Sequence, residues 1–289
     1  MSTTLYQLEL DQAHIDCGMS YVFHMEDGRF FIIDGGYFTE GEQGRLYDFL
    51  ISRCEGKPVI AGWFFSHAHQ DHIGSFIQFV WKYGNDVTIQ KLYFQFHPAG
   101  LSQVTGDWKS SDDATMKEFY HTLEKYCRDV PVITPQTGDR YQIGEITIDV
   151  LYTCADLLPT TSCVNDYSTV ITTTVAGQKI LWLGDAETQA SRILLEGKQD
   201  ILKSCEIIQV AHHGFNGATR ELYAATHPHT VLWPSPAPNF EQNKPTPVNH
   251  FILNDLGAAD HIVSGYGDAE LSLPYTPGTA KRSPKRFQP

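Results

Sequence analysis

The stretch VIAGWFFSHAHQDH, residues 59–72, joins two contrasting patterns. Its first half, Val59 to Phe65, is apolar or small without interruption, which is typical of a strand that is covered on both faces. Its second half holds three histidines and one aspartate within six residues. We therefore predict a buried strand that ends at Phe65 and a loop of potential metal ligands directly after it.

The ligand loop, residues 66–72, has the residue types and the spacing of a metal site. Residues two apart point the same way in an extended segment, so His67 and His69 can bind one ion from one side. Asp71 and His72 follow the turn and can bind a second ion. Imidazole and carboxylate are ligands that zinc and similar cations take in catalytic sites. An ordinary polar loop is the alternative, and four potential ligands within six residues favour the metal site.

Strands and helices alternate on both sides of this stretch. Residues 21–33 predict a hairpin that turns at Glu26-Asp27-Gly28, and helices with one apolar face are predicted before and after the ligand loop. Apolar or alternating runs predict further strands at residues 4–10, 91–96, 145–151, 169–175, 179–183, 207–211, 230–233 and 261–263. This order predicts an α/β fold, a layered αββα sandwich, with one domain over residues 1–278.

Two stretches depart from this alternation. Residues 97–112 are rich in Gly, Ser and Asp, with Trp108 as the bulky side chain, and a helix is predicted to begin near Ser110. A loop of this length either shapes a pocket or is a plain surface excursion. The last residues, 279–289, are basic and predict a flexible tail.

Composition limits the partners of the protein. The 289 residues are 42% hydrophobic and 19% charged, with a net charge of −13 at pH 7. This charge repels the phosphate backbone of extended nucleic acid, so a small-molecule substrate is the expected partner. Six scattered cysteines, no signal peptide and no run of 18 apolar residues predict a cytoplasmic location without a membrane span.

Two later strand ends carry further potential ligands. The strand at 179–183 runs into Gly184-Asp185, and the strand at 207–211 runs into His212-His213-Gly214. Taken singly, an aspartate after a glycine is often a turn residue, and a loop histidine is often structural. Both groups follow apolar strands, as the ligand loop does, and this shared placement favours a role at the same site.

The letters HAHQDH at residues 67–72 resemble the H-x-H-x-D-H motif of the metallo-β-lactamase superfamily. The resemblance continues in order along nearly the whole chain, through Asp34-Gly35-Gly36, Gly184-Asp185 and His212-His213-Gly214. It implies two divalent metal ions, and the ligand set favours zinc while also accepting manganese or iron. The implied ligands are His67 and His69 for the first metal, Asp71, His72 and His213 for the second, and Asp185 as a bridge.

One feature departs from many members of that superfamily, which supply another histidine to the first metal. This chain has no histidine between Thr122 and Ala211, and the segment Asn165-Asp166-Tyr167-Ser168 lies in that interval. Together with His-His-Gly, it resembles the branch of bacterial competence-protein hydrolase domains and phosphorylcholine esterases. Asn165 and Ser168 would then be a third ligand of the first metal or substrate contacts; the alternative is that they cap a turn.

The resemblance implies hydrolysis by a hydroxide held between two metals. Asp71 is assigned to orient or deprotonate the water, and His212 to protonate the leaving group. A phosphodiester or phosphate ester is the preferred substrate; a lactone, thioester or β-lactam is the alternative. A metal-bound sensor or interaction module is a further alternative. Oxidative diiron chemistry is disfavoured, because His69 stands where a carboxylate would be expected and no flavin-binding unit follows.

Overall fold

The strands and helices begin close to where the apolar patterns predict them in a computed structural model that describes residues 2–9, 18–99, 110–157 and 164–284. The strands are β1 (Thr4–Gln7), β2 (Tyr21–His24), β3 (Phe30–Ile33), β4 (Val59–Phe64), β5 (Thr88–Ile89), β6 (Leu92–Tyr93), β7 (Val132–Ile133), β8 (Arg140–Ile143), β9 (Ile146–Tyr152), β10 (Val170–Val175), β11 (Gln178–Trp182), β12 (Ile207–Gln209), β13 (Thr230–Trp233), β14 (Asp260–Val263), β15 (Ala269–Ser272) and β16 (Lys281–Arg282). The α-helices are α1 (Glu40–Ile51), α2 (Gln70–Tyr83), α3 (Ser110–Tyr126), α4 (Thr188–Gly197), α5 (Gln199–Lys203), α6 (Arg220–Ala224), α7 (Ala237–Asn243) and α8 (Pro247–Asn254).

The strands form two mixed sheets. The first has the order β16-β15-β1-β2-β3-β4-β6-β7, with β5 also paired to β4. The second has the order β14-β13-β12-β11-β10-β9-β8. In the first sheet β3, β4 and β6 run parallel, and in the second β11 to β14 run parallel. Parallel strands end at one edge, so each sheet presents several carboxyl ends together.

The two sheets pack face to face, and helices cover their outer faces. Phe23 and Tyr21 of the first sheet contact Trp182 of the second, with ring centroids 5.9 and 4.7 Å apart. On the outer face of the first sheet, Trp63 packs edge-on against Phe76 of α2. A separate apolar cluster covers the outer face of the second sheet. The predicted αββα sandwich is therefore confirmed, and burial of these side chains provides its main driving force.

Several local predictions are confirmed and others are adjusted. The predicted hairpin pairs β2 with β3, and α3 begins at Ser110. The strand predicted at 91–96 is shorter, and the one predicted at 207–211 ends at Gln209, where the chain turns into the histidine loop. Trp108 and residues 100–109 of the predicted loop lie outside the described residues. None of the described helices is long and apolar enough to cross a bilayer.

The start of the basic tail is paired with a sheet, which differs from the prediction of a flexible tail from residue 279. Arg282 and Lys281 pair antiparallel with β15. Lys281 also forms an ion pair with Glu270 at 2.7 Å, and the guanidinium of Arg282 donates to the carbonyl of Val263. The open edge of β15 supplies the backbone partners that composition alone did not reveal. Residues 285–289 lie outside the described residues.

Asp166 caps the amino terminus of α4. Its carboxylate accepts hydrogen bonds from the backbone N–H groups of Glu187, Ala190 and Gln189 at 2.8, 3.1 and 3.2 Å, and the side chain is almost fully buried. We expect Asp166→Ala to lower the free energy of unfolding by about 2 kcal/mol, because buried N–H groups lose their acceptor. Urea denaturation measures this loss. Asp166→Asn, which keeps one acceptor oxygen, is the control and should lose less; equal loss in both variants would contradict the capping role.

Candidate metal centre

Four strand ends bring polar side chains to one edge of the sandwich. Strand β3 leads into Asp34, β4 into the ligand loop, β11 into Asp185, and β12 into His213. The ligand loop then enters α2, whose first turn carries Asp71. The histidines and Asp185 are nearly inaccessible to solvent, whereas the side chain of Asp71 keeps 17% of its exposure. The site therefore opens to solvent on the side of Asp71.

The predicted ligands converge in two groups that share Asp185. The first group contains His67, His69 and Asp185, and the second group contains Asp71, His72, Asp185 and His213. Within each group, the potential ligand atoms lie within 4.8 Å of one another. The Nε2 atom of His213 is 3.1 Å from Asp71 Oδ2 and 3.3 Å from Asp185 Oδ2. The Nε2 atom of His72 is 3.2 Å from Asp185 Oδ1. All six residues assigned to metals from the sequence are thus brought together.

These separations fit ligands of a common cation. Two ligand atoms that each lie 2.0 to 2.2 Å from an ion are about 3 to 4 Å from one another. The measured gaps between His72, His213 and Asp185 fall in that range. His67 adds a chemical argument: its Nε2 atom is buried and has no hydrogen-bond partner among the described residues, and it is 3.7 Å from Asp185. The residues present therefore fit two divalent cations, one for each group, and Asp185 belongs to both groups.

Hydrogen bonds donated by Nδ1–H groups orient two histidines of the second group. The Nδ1–H of His72 donates to Asp34 Oδ2 at 2.8 Å, and the Nδ1–H of His213 donates to the carbonyl of Pro234 at 2.8 Å. Each bond selects the tautomer whose Nε2 atom faces the cluster. Asp34 is fully buried, and its other oxygen accepts the backbone N–H of Ser66 at 2.8 Å. The aspartate of the early Asp-Gly-Gly turn is therefore an orienting partner of a ligand.

Ser66 performs a similar task for the first group. Its hydroxyl donates to Asp34 Oδ2 at 2.7 Å and lies 3.0 Å from Nδ1 of His67, from which it can accept. That arrangement again directs the Nε2 atom of the histidine into the cluster. One buried carboxylate, Asp34, thus connects the orientation of a histidine in each group.

The charges of the cluster raise the pKa of two imidazoles. Burial alone would lower the pKa of His72, yet surrounding carboxylates raise it to about 10. Those carboxylates are Asp185, Asp34 and Asp71. Burial also opposes the charged form of His213, whose pKa is nevertheless raised well above its ordinary value by Asp185 and Asp71. His67 behaves in the opposite way, because burial and the neighbouring imidazoles hold its pKa well below 6.5.

Metal binding is expected to release protons at neutral pH. Because the pKa values of His72 and His213 are raised, the metal-free protein holds protons on these imidazoles at pH 7. A cation must displace those protons to reach Nε2, so its apparent affinity should rise as the pH rises through the neutral range. Titration calorimetry with Zn²⁺ in buffers of different ionisation enthalpy measures the release. A binding heat that is independent of the buffer would contradict this expectation.

The two consecutive histidines lie in different surroundings. Both His212 and His213 adopt left-handed backbone conformations, with φ of 49° and 54°, so the chain turns sharply between their side chains. Only His213 belongs to the ligand groups. The side chain of His212 is 24% exposed, and its Nδ1 atom is 3.2 Å from Glu187 Oε1. His212 therefore lies beside the cluster, where a substrate group can reach it.

Asn165 and Ser168 lie next to the Asp185 turn. The amide nitrogen of Asn165 donates to Glu187 Oε1 at 2.7 Å and is 3.3 Å from both ring nitrogens of His212. Its Oδ1 atom is buried without a hydrogen-bond partner among the described residues. Ser168 is fully buried, and its hydroxyl accepts the backbone N–H of Asp185 at 3.0 Å. Ser168 thus supports the turn that carries Asp185, the carboxylate shared by the two groups.

Sequence reasoning did not assign roles to four residues that orient or surround the site: Asp34, Ser66, Glu187 and Gln209. For Asp34 a local signal existed, since a carboxylate before two glycines follows an apolar strand. Ser66 is the first residue of the ligand loop, and Glu187 is two residues from Asp185. For Gln209 the sequence contains no signal, because its partners are in another strand.

Comparisons with known proteins support the fold. No family model matches this sequence, and no curated protein matches it significantly. Among solved structures, the metallo-β-lactamase fold protein YhfI from Bacillus subtilis is 12% identical, with a TM-score of 0.54 over 91% of this chain and 96% of YhfI. Unliganded yeast PDE1 is 9% identical, with a TM-score of 0.53 over 91% of this chain and 98% of PDE1.

A third similar structure is CmlA, a diiron β-hydroxylase from Streptomyces venezuelae. It is 10% identical, with a TM-score of 0.56 over 94% of this chain and 54% of CmlA, so this chain spans about half of that protein. At such low identities the likeness defines the architecture. The chain therefore has the metallo-β-lactamase fold, and it carries a cluster of histidines and aspartates suited to two metal ions where the strands end.

Proposed function

We propose that this protein is a metal-dependent hydrolase that cleaves a phosphodiester or phosphate ester. The observation that carries the proposal is the pair of ligand groups that share one buried carboxylate, Asp185. When bound, two cations would acidify a water molecule and stabilise the charge that develops on the substrate. Zinc is the proposed metal, because imidazole predominates among the ligands.

The charge of the two cations would suit the site to an anionic substrate. The carboxylates of Asp34, Asp71 and Asp185 give the metal-free cluster an excess of negative groups, so two divalent ions are needed to attract a phosphate oxygen. Paired cations suit a phosphodiester, because they can contact the attacking and the leaving oxygen of one displacement. The Asn165-x-x-Ser168 and His-His-Gly segments, which resemble the phosphoesterase-like branch, support the same substrate class; membership of that branch stays a prediction.

Two residues are proposed to move protons. Asp71 is the partly exposed carboxylate of the cluster, so it is proposed to orient the attacking water or to accept its proton. His212 is partly exposed beside the cluster and its ring lies against Glu187, which suits donation of a proton to the leaving oxygen. Asn165 is proposed to contact the substrate or the first metal through its buried Oδ1 atom.

A substrate panel tests the proposal. Protein reconstituted with Zn²⁺ or Mn²⁺ is expected to hydrolyse bis(p-nitrophenyl) phosphate faster than a lactone, a thioester or a chromogenic β-lactam. Asp71→Asn is expected to slow that hydrolysis by about 100- to 10,000-fold, the range of a lost acid or base. Metal analysis of the variant separates loss of metal from loss of the proton acceptor. Asp139, a partly exposed carboxylate that accepts a hydrogen bond from Tyr141 away from the site, provides the control Asp139→Asn.

Other outcomes of the panel identify the alternatives. Turnover of only the lactone, thioester or β-lactam would replace the phosphoester with a carbonyl substrate. Oxygen consumption by iron-loaded protein would indicate oxidative chemistry. Tight metal binding with no turnover of any substrate would indicate a sensor or interaction module.

A further inference from the structure

One fully buried glutamine, Gln209, links the two strand ends that carry Asp185 and His213. Its side-chain oxygen accepts the backbone N–H groups of Leu183 and Gly184 at 2.8 and 2.9 Å. Its amide nitrogen donates to the carbonyl of Gly184 at 3.0 Å. Gln209 is the last residue of β12, so a single side chain holds the end of the neighbouring strand β11.

The carbonyl of Gly184 is also bonded to the histidine loop. It accepts the backbone N–H of His212 at 3.1 Å, in addition to the amide of Gln209. The residue after Gly184 is the bridging Asp185, and the residue after His212 is the ligand His213. The contacts of Gln209 therefore set the separation between a bridging carboxylate and an imidazole that serve the same second metal.

The turn at Gly184 leaves little room for an alternative path. Gly184 has φ of 55°, a conformation that favours glycine. A Cβ atom at this position would lie 2.9 Å from the Cβ of Ser66 and 3.0 Å from the Cβ of Ser168. The side chains of Ser66 and Ser168 on one side and Gln209 on the other thus determine where Asp185 begins.

We propose that Gln209 is a positioning residue for the second metal, acting through Asp185 and His213. This inference rests on the metal-binding part of the proposed function and is independent of the substrate. Without the Gln209 amide, the two strand ends lose the side chain that contacts both. The distance between Asp185 Oδ2 and His213 Nε2, which is 3.3 Å in the structure, is then no longer fixed. His67 and His69 follow β4 in the other sheet, so the first metal should be affected less.

The chain offers a matched control in Gln178, the first residue of β11. It is also buried, and its side chain also clamps a backbone segment: its oxygen accepts the N–H of Tyr275 at 2.6 Å, and its nitrogen donates to the carbonyl of Tyr275 at 3.0 Å. Gln178 and Gln209 therefore make the same kind of contact on the same sheet, but at opposite ends of β11. Loss of the Gln178 clamp should affect stability without affecting the metals.

The experiment compares Gln209→Met with Gln178→Met in metal-free protein. Stepwise Zn²⁺ affinities are measured by competition with a chromophoric chelator, and the visible spectrum of Co²⁺-loaded protein reports the coordination geometry. We expect Gln209→Met to weaken the second Zn²⁺ by about 10- to 100-fold, as loss of an orienting contact typically does. Gln178→Met should retain both affinities and the wild-type Co²⁺ spectrum.

The variant Gln209→Glu provides a second test if Gln209→Met does not fold, because its carboxyl group keeps an acceptor for the two N–H groups. If Gln209→Met does not fold, Gln209→Glu is expected to fold and to bind the second Zn²⁺ more weakly than wild type, with an altered Co²⁺ spectrum. Wild-type metal affinities and spectra in the folded Gln209 variants would overturn the proposal, as would equal losses in Gln178→Met. Failure of wild-type protein to hydrolyse any phosphoester would refute the proposed substrate and leave this result intact.

Discussion

Asp185→Asn is expected to leave the protein with fewer than two bound metal ions and to lower phosphodiester hydrolysis on the order of 1,000-fold, since a metal pair contributes several kcal/mol to catalysis. The carboxylate is 3.2 Å from His72, 3.3 Å from His213 and 3.7 Å from His67, so it faces both ligand groups. An asparagine replaces one anionic oxygen with an NH₂ group, which cannot bind a cation. Elemental analysis and initial rates on bis(p-nitrophenyl) phosphate measure the two effects.

Asp260→Asn is the matched control for this change. Asp260 accepts from the hydroxyl of Tyr275 and the N–H of Gly278, so the variant removes a carboxylate that also has structural contacts. It should retain both metals and the wild-type rate. Two tightly bound ions in Asp185→Asn would contradict the shared-carboxylate site.

The two consecutive histidines should respond differently to the same substitution. His213→Gln is expected to lose the second metal and to lower the rate on the order of 1,000-fold, because its Nε2 atom faces Asp71 and Asp185. His212→Gln is expected to keep both metals and to lose about 100-fold in rate on an alkyl phosphodiester, because it removes only a proton donor. Metal content per chain, measured beside the rate, distinguishes the two effects.

Leaving groups provide a second measurement for His212. An aryl phosphodiester departs without much need of a proton, whereas an alkyl phosphodiester requires one, so His212→Gln should slow the alkyl substrate more. Each variant is the control for the other, since the two positions are adjacent and carry the same change. Loss of metal in His212→Gln, with both ions retained in His213→Gln, would reverse the assignment.

These expectations combine residues that the sequence identified with contacts that it did not. Local periodicity was sufficient for the hairpin of β2 and β3, for the buried strand β4 and for the amphipathic helix α2. Such elements depend mainly on the burial of side chains two, three or four residues apart, and a sequence displays those spacings directly. The density of ligands at residues 67–72 is local in the same sense. Asp185 and His213 were expected to lie at the same site as this ligand loop, because each of them also follows an apolar strand.

The sequence by itself therefore determined the αββα architecture and the residues that converge on the site. The resemblance had already assigned His213, and not His212, to the second metal; the tertiary structure supplies the reason, because two left-handed residues in one turn direct the two side chains differently. It also decided that Asp34 orients His72, and that Gln209 clamps Gly184, across 38 and 25 positions of the chain. Such partners are selected by strand order and register, since strands distant in sequence meet side by side only after the sheets form. No local pattern records that juxtaposition, and for this reason the orienting contacts emerged only from the folded chain.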